Sequence, residues 1–354
     1  MQTRITELLG IRHPLLCPGM TYVANADLVA AVGNAGGLGI LAVGHLSPAE
    51  TRAEIRRVRT LTDKPFGVGV ALLMPGASQN AEVAIEERVA VINFSLGKGD
   101  WLCERVHAYG GKVIATVVNE KHAKAAERAG VDALLVTGHE AAAHGGDVTS
   151  LVLVPAIRQV TTLPLIATGG FGTGGGLIAA LALGADAIAM GTRFATSKES
   201  PVHQRTKDLI VDKSVSDTLY TPHFDGMPCR VMKTPASLQR TAKPLTLWRA
   251  LWKALGAARA SGRPLFGLLR EALHDGFLQT LKLAYFAAAT AEIRRATVEG
   301  DNERGIQLIG QVQGLVHDAP PVAAIVARVM TEAEAARARV NAQGEAPPAL
   351  AAAR

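Results

Sequence analysis

Eight short apolar runs recur along the first 190 residues at a nearly steady pace: PLLCP (14–18), LGILA (38–42), FGVGVAL (66–72), VAVINF (89–94), KVIATV (112–117), DALLV (132–136), LPLIAT (163–168) and DAIAM (186–190). Each is too short for a buried helix and has the length of a strand buried on both faces. Between them lie Ala-, Glu- and Arg-rich stretches with helical periodicity, such as SPAETRAEIRRVRTL (47–61) and EKHAKAAERAG (120–130). Strand–helix alternation at about 20–30 residues per unit builds parallel βαβ units. Eight units predict an α/β fold, a closed (β/α)8 TIM barrel. A doubly wound open sheet is the structural alternative, and the unit count disfavours it.

The alternation stops near residue 205. Residues 206–340 then read as a mainly helical lid or accessory segment, with helices over 236–300 and again over IQLIGQVQGLVHDAPP (306–321). In PLTLWRALWKALGAA, Leu245, Trp248, Leu251, Trp252 and Leu255 share one face, with Arg249 and Lys253 on another, a pattern that reads as core- or lid-facing. The last stretch, 341–354, reads as a disordered tail.

The formal charge of +6 is unevenly spread: Arg230 to Gly300 holds 12 Lys/Arg against 4 Asp/Glu, leaving −2 elsewhere. Such a segment suits an anionic partner. It lacks interleaved aromatics and any nucleic-acid module, so nucleic acid is not expected. Three cysteines, Cys17, Cys103 and Cys229, form neither a disulfide framework nor a Cys-x-x-Cys pair. The opening MQTRITELLGIRHP has no apolar core, and no charge-free apolar run reaches about 20 residues. A cytoplasmic protein without a membrane span or signal peptide is expected.

In a barrel, chemistry sits on the loops that follow the strands. After runs seven and eight come IATGGFGTGGG (166–176) and AMGTRFATSKES (189–200). The backbone N–H groups of Gly169, Gly170, Gly191 and Thr192 are placed to converge on an anion, at the position where barrels often hold phosphate. After run one, Cys17-Pro18-Gly19-Met20-Thr21 permits close approach to a flat ligand. After run six, LVTGHEAAAHGGDVTS (135–150) comes near a zinc-binding H-E-x-x-H, but His139 and His144 are five apart, roughly 140° around a helix. No metal site is expected. A histidine on this rim can serve as general acid or base.

These stretches together resemble the nitronate monooxygenase (2-nitropropane dioxygenase-like) flavoproteins, FMN-dependent barrels that include NADH:quinone reductases and flavin-dependent enoyl-acyl carrier protein reductases. The resemblance runs from about residue 3 to 340 and rests on TRITELLGIRHPLLCPGM, NAGGLGIL, LTDKPFGV, AAAHGGD, IATGGFGTGGGLIAALALGADAIAMGTRF and GQVQGLV. It implies that the barrel, 1–205, binds FMN, with contacts at Gly19, Met20, Gly169, Gly170, Gly191 and Thr192. Thr116, where some relatives carry a flavin-facing Lys, and Gly145 join the implied cofactor set. His144 is the implied catalytic residue, and Gln311 lies close to the substrate site. One departure is Gly69, where the family commonly has Asn. The implied activity is oxidation of alkyl nitronates with O2. The alternative is NAD(P)H-dependent reduction of a quinone or an enoyl- or acyl-CoA thioester, with NADH or NADPH as electron donor. TPHFDGMPCRVMKT (221–234) is similar to a subgroup that degrades steroid-ring fragments as coenzyme A thioesters, which would give the basic excess a phosphate partner. A non-flavin phosphate-binding barrel, such as an aldolase, is a further alternative, although Lys98 and Lys112 are poorly placed for a Schiff base. A homodimer is among the assemblies left open.

Overall fold

The computed structural model describes residues 1–74, 76–243 and 289–344. Eight parallel strands close into a barrel in chain order: β1 Leu15–Cys17, β2 Leu38–Ala42, β3 Gly67–Ala71, β4 Val91–Ser95, β5 Lys112–Val117, β6 Ala133–Thr137, β7 Leu165–Thr168 and β8 Ala187–Ala189. The ring closes where Leu16 of β1 pairs with Ala189 of β8. The runs are apolar throughout because both strand faces are covered. One face packs on the surrounding helices, through residues such as Leu41, Val68, Ile92, Val113 and Leu134. The other fills the interior, where Leu16, Leu38, Ile40, Ile114, Leu135 and Ile166 form a second core. The N-terminal helix Arg4–Leu9 adds Ile5 and Leu9 to that interior cluster and so plugs one end of the barrel. Each such buried side chain contributes about 1.5–3 kcal/mol.

The crossover helices begin where their sequences supply caps. Ser47 and Glu50 form a reciprocal capping box on Pro48–Leu61, and Asn119 caps Glu120–Arg128. The crossover after β7 ends in the helix Gly174–Ala182, and the C-terminal helix Val322–Gly344 lies against it. A Cβ at Gly174 would come within 2.2 Å of the Ala333 nitrogen and 2.3 Å of the Val329 oxygen, so only glycine permits this approach.

Beyond the barrel, strands β9 (Thr218–Thr221) and β10 (Cys229–Met232) form an antiparallel pair. Phe224, Cys229, Val231, Ala289 and Ile306 pack into a small core of their own beneath it. The expected helix over 306–321 is not formed: only Gln311–Leu315 takes a short 3-10 turn. The reason is competition for its backbone groups. The Gly310 N–H donates to Thr192 Oγ1 and the Gln311 N–H to the Glu140 carbonyl, bonds to neighbouring loops that a helix would forgo. The helical face expected at Leu245–Leu255 and the last ten residues lie outside the described residues. Among the described residues, no helix is long and apolar enough to cross a membrane.

Candidate active site

A cavity of about 580 Å³ opens at the C-terminal ends of the barrel strands. That volume lies within the range typical of cofactor and small-molecule sites. Its wall takes Pro18, Gly19 and Met20 from the loop after β1, Asn93 and Phe94 from β4, and Ala115 and Thr116 from β5. Thr137 and Ala141–His144 come from β6 and its loop, Thr168–Phe171 from β7, and Ala189, Gly191 and Thr192 from β8. Ile293 and Gln307–Gly310 close it from the accessory segment.

The loops after β7 and β8 carry unspent backbone donors at the cavity wall. Gly169 and Gly170 take φ of +100° and +81°, the left-handed region that glycine alone enters cheaply. The N–H groups of Gly169, Gly170 and Gly191 donate to nothing within the described residues. Three unspent amides on one cavity wall suit an anion such as a phosphate. The N-terminus of the helix Gly174–Ala182 is not part of this cradle. The Glu332 carboxylate takes the Gly174 N–H at 2.9 Å, and Thr173 caps Gly176.

The loop after β6 is held from three sides. Glu140 accepts from the Ser150 N–H at 2.9 Å, and the Ser150 hydroxyl lies 3.0 Å from that carboxylate and 2.7 Å from the Gly169 carbonyl. This clamp ties the β6 loop to the β7 loop and gives Glu140 its role. From above, β10 continues as a backbone bridge between Arg230 and Ala143, whose φ is +57°. The Arg230 guanidinium, buried, donates to the His139 carbonyl and to Thr218 Oγ1. Tyr220 stacks edge-on against His139 and donates its hydroxyl proton to the Gly145 carbonyl at 2.8 Å.

This frame presents His144 at the cavity wall. Its Nε2 lies 3.0 Å from Asp225 Oδ2, and its Nδ1 lies 3.2 Å from the Pro228 carbonyl. Burial disfavours the charged ring, but the Asp225 hydrogen bond and charge, helped by the Pro228 carbonyl, outweigh it and raise the His144 pKa above its usual value. Asp225 itself is buried and also accepts from the Met227 N–H. Cysteine nucleophiles do not compete for a role: all three thiols are buried, and burial pushes those of Cys17 and Cys229 up.

Of the residues singled out from sequence, the structure brings Gly19, Met20, Thr116, His144, Gly169, Gly170, Gly191 and Thr192 to one cavity. Gly145 and Gln311 are not among the lining residues: the Gly145 carbonyl accepts from Tyr220, and the Gln311 N–H donates to the Glu140 carbonyl. His139 faces the accessory strands, its Nδ1 3.0 Å from the Gly146 carbonyl. Sequence reasoning missed Asp225, Asn93 and the Glu140–Ser150 clamp. Asp225 had one available signal, its place in the FDGMP stretch of a motif already noted. Among the described residues, no group of three or more His, Cys, Asp or Glu is arranged to hold a metal.

Comparison with known proteins places this geometry in a family. The family model described as nitronate monooxygenase matches residues 2–86 and 76–332. The chain is 36% identical over 341 residues to the 5-hydroxy-7a-methyl-1-oxo-octahydro-1H-indene-4-carboxyl-CoA dehydrogenase of Mycobacterium tuberculosis, covering 94% of this chain and 96% of that protein. A probable nitronate monooxygenase of Staphylococcus aureus is 30% identical over 65% of this chain and 78% of its own. Among solved structures, FabK from Thermotoga maritima superposes with a TM-score of 0.80 at 36% identity, over 97% of this chain and 99% of that one. Barrel, cavity and matched motifs agree: the chain belongs to the nitronate monooxygenase family and is a flavin-dependent oxidoreductase.

Proposed function

We propose that this protein is an FMN-dependent oxidoreductase acting on a coenzyme A thioester. The observation that carries the reading is His144, held between Asp225 and the Pro228 carbonyl on the wall of the cavity that also bears the unspent glycine amides. The residues fit FMN. The amides of Gly169, Gly170 and Gly191 would hold its phosphate, and Met20, whose sulfur lies 3.4 Å from the Cβ position of Gly191, would pack on its ring. Bound FMN supplies a two-electron partner for hydride.

The protein's own contribution is proton handling and exclusion of water. Both ring nitrogens of His144 face acceptors, so the imidazolium satisfies both contacts and a proton is stored at the wall. The longer contact, from Nδ1 to Pro228, is the one a substrate oxygen or carbon would displace. Asp225 then holds the ring through Nε2, while Nδ1 gives its proton when the ring is charged, for a substrate being reduced, or takes one when the ring is neutral, for a substrate being oxidised. The accessory segment roofs the site through Gln307–Gly310 and keeps bulk water away. The thioester rests on the relatives that match nearly the whole chain, one of them a carboxyl-CoA dehydrogenase, and on the basic excess of 230–300. A nicotinamide donor is needed only if the enzyme runs as a reductase.

The second reading is nitronate oxidation with O2, favoured by the family description and by the Staphylococcus relative. Steady-state kinetics with His144→Ala tests the proton assignment. The expected loss in kcat is about 10²–10⁴-fold with FMN still bound. Unchanged turnover on the preferred substrate would remove His144 from the chemistry. A higher kcat/KM for nitronates than for any thioester would move the protein to the second reading.

A further inference from the structure

We infer that Asn93 and Thr116 form a two-point reader for the imide edge of the bound flavin, a ring N–H beside a carbonyl. The inference rests on the FMN reading above and assigns the end of the cofactor that the glycine amides do not touch. Asn93 lies on β4, is 7% exposed and lines the cavity. Both hydrogens of its amide are spent, one on the Ile114 carbonyl at 3.0 Å and one on Thr116 Oγ1 at 3.1 Å. What remains is the oxygen Oδ1, which accepts no hydrogen bond among the described residues. Thr116 Oγ1 already accepts from Asn93, so its proton is the unspent function. The pair therefore offers one acceptor and one donor side by side, both neutral and both at the cavity wall.

That chemistry is the complement of an imide edge, whose N–H donates to Asn93 Oδ1 and whose carbonyl accepts from Thr116. It is the wrong chemistry for phosphate, which an exposed carbonyl oxygen repels. The unspent glycine amides follow β7 and β8, while Asn93 and Thr116 stand on β4 and β5, across the closed eight-stranded ring. The two walls thus fix the direction of a ligand with an anion at one end and a neutral heterocycle at the other. Asn93 also answers the departure at position 69. Gly69, which stands where the family commonly has Asn, is the register partner of Asn93 on the neighbouring strand. The missing amide is supplied one strand along.

The test is a fluorescence titration of the deflavinated full-length protein with FMN and with its N3-methyl analogue, which lacks the imide N–H. Wild type is expected to bind the methylated flavin about 10- to 100-fold more weakly. Asn93→Ala should bring the ratio close to one, chiefly by weakening FMN. Thr116→Val, which keeps the shape and removes the hydroxyl, should weaken both flavins about equally and leave the ratio intact. Equal affinities in wild type, or a ratio that Asn93→Ala leaves unchanged, overturns the inference while FMN binding itself stands. The wild-type ratio needs no variant, so the test survives an Asn93→Ala protein that does not fold. A wild type that binds neither flavin overturns the FMN reading, and this inference with it, a result distinct from the others.

Discussion

The chemistry concentrates on a few side chains whose partners come from far along the chain. Pro228, which meets the His144 ring, is 84 residues downstream of it. Because the folded pKa of His144 is raised, its charge and the stability it contributes are fully present below the ordinary value of about 6.5 and are lost as pH rises through the higher folded value. Asp225→Asn removes the main cause of the rise and leaves burial, which acts the other way. The limb of kcat/KM against pH that His144 sets, acidic where the ring takes the proton of a substrate being oxidised and alkaline where it gives one to a substrate being reduced, should therefore move to lower pH in that variant. A limb that stays in place would show that some other group sets it. Ser150→Ala leaves the Glu140 carboxylate and the Gly169 carbonyl without the hydroxyl. Denaturant unfolding should show a loss of about 1–3 kcal/mol, with weaker FMN binding as the β7 loop loosens. At this scale the sequence was half legible. Glycines and His144 announce themselves by type and by their position after a strand. Asp225 and Asn93 do not, because an acid in a loop and an amide in an apolar run acquire meaning only from what the fold sets beside them.

Among elements, the barrel was readable because parallel strands buried on both faces leave continuous apolar runs, and each of the eight barrel strands falls on or within a residue of one of the predicted runs. The segment 306–321 was misread because its apolar spacing suits a helix, whereas its backbone groups are used to bridge the β6 and β8 loops through Glu140 and Thr192. The antiparallel pair β9–β10 left only a weak trace, two four-residue strands separated by a Gly- and Pro-bearing turn. The helix contact at Gly174 gives the sharpest test at this scale. Gly174→Ala would push a methyl into the Ala333 nitrogen and the Val329 oxygen, both backbone atoms that cannot swing aside. It should cost about 1–3 kcal/mol and lower Tm by a few degrees, with the C-terminal helix becoming the first segment to gain hydrogen exchange. An unchanged Tm and exchange pattern would mean that the two helices have room to separate.

Over the whole molecule, the barrel mouth is covered by the accessory segment through Ile293 and Gln307–Gly310. The interior plug at Ile5 and Leu9 closes the opposite end, so ligands enter from the strand C-termini. Much of the basic excess falls on residues 244–288, outside the described residues. Binding of a thioester should weaken steeply between low and moderate salt if those charges meet its phosphates, whereas a neutral acyl analogue should show a flat profile. The central claim is that a coenzyme A thioester exchanges hydride with FMN in this cavity while His144 carries the proton. Anaerobic mixing of the FMN-loaded protein with hydroxyacyl-CoA thioesters, followed through the flavin absorbance, measures that exchange directly. The account predicts bleaching by a thioester, and a bleaching rate that collapses in His144→Ala. Flavin bands that no thioester changes, in a protein that a nitronate reduces, would contradict it.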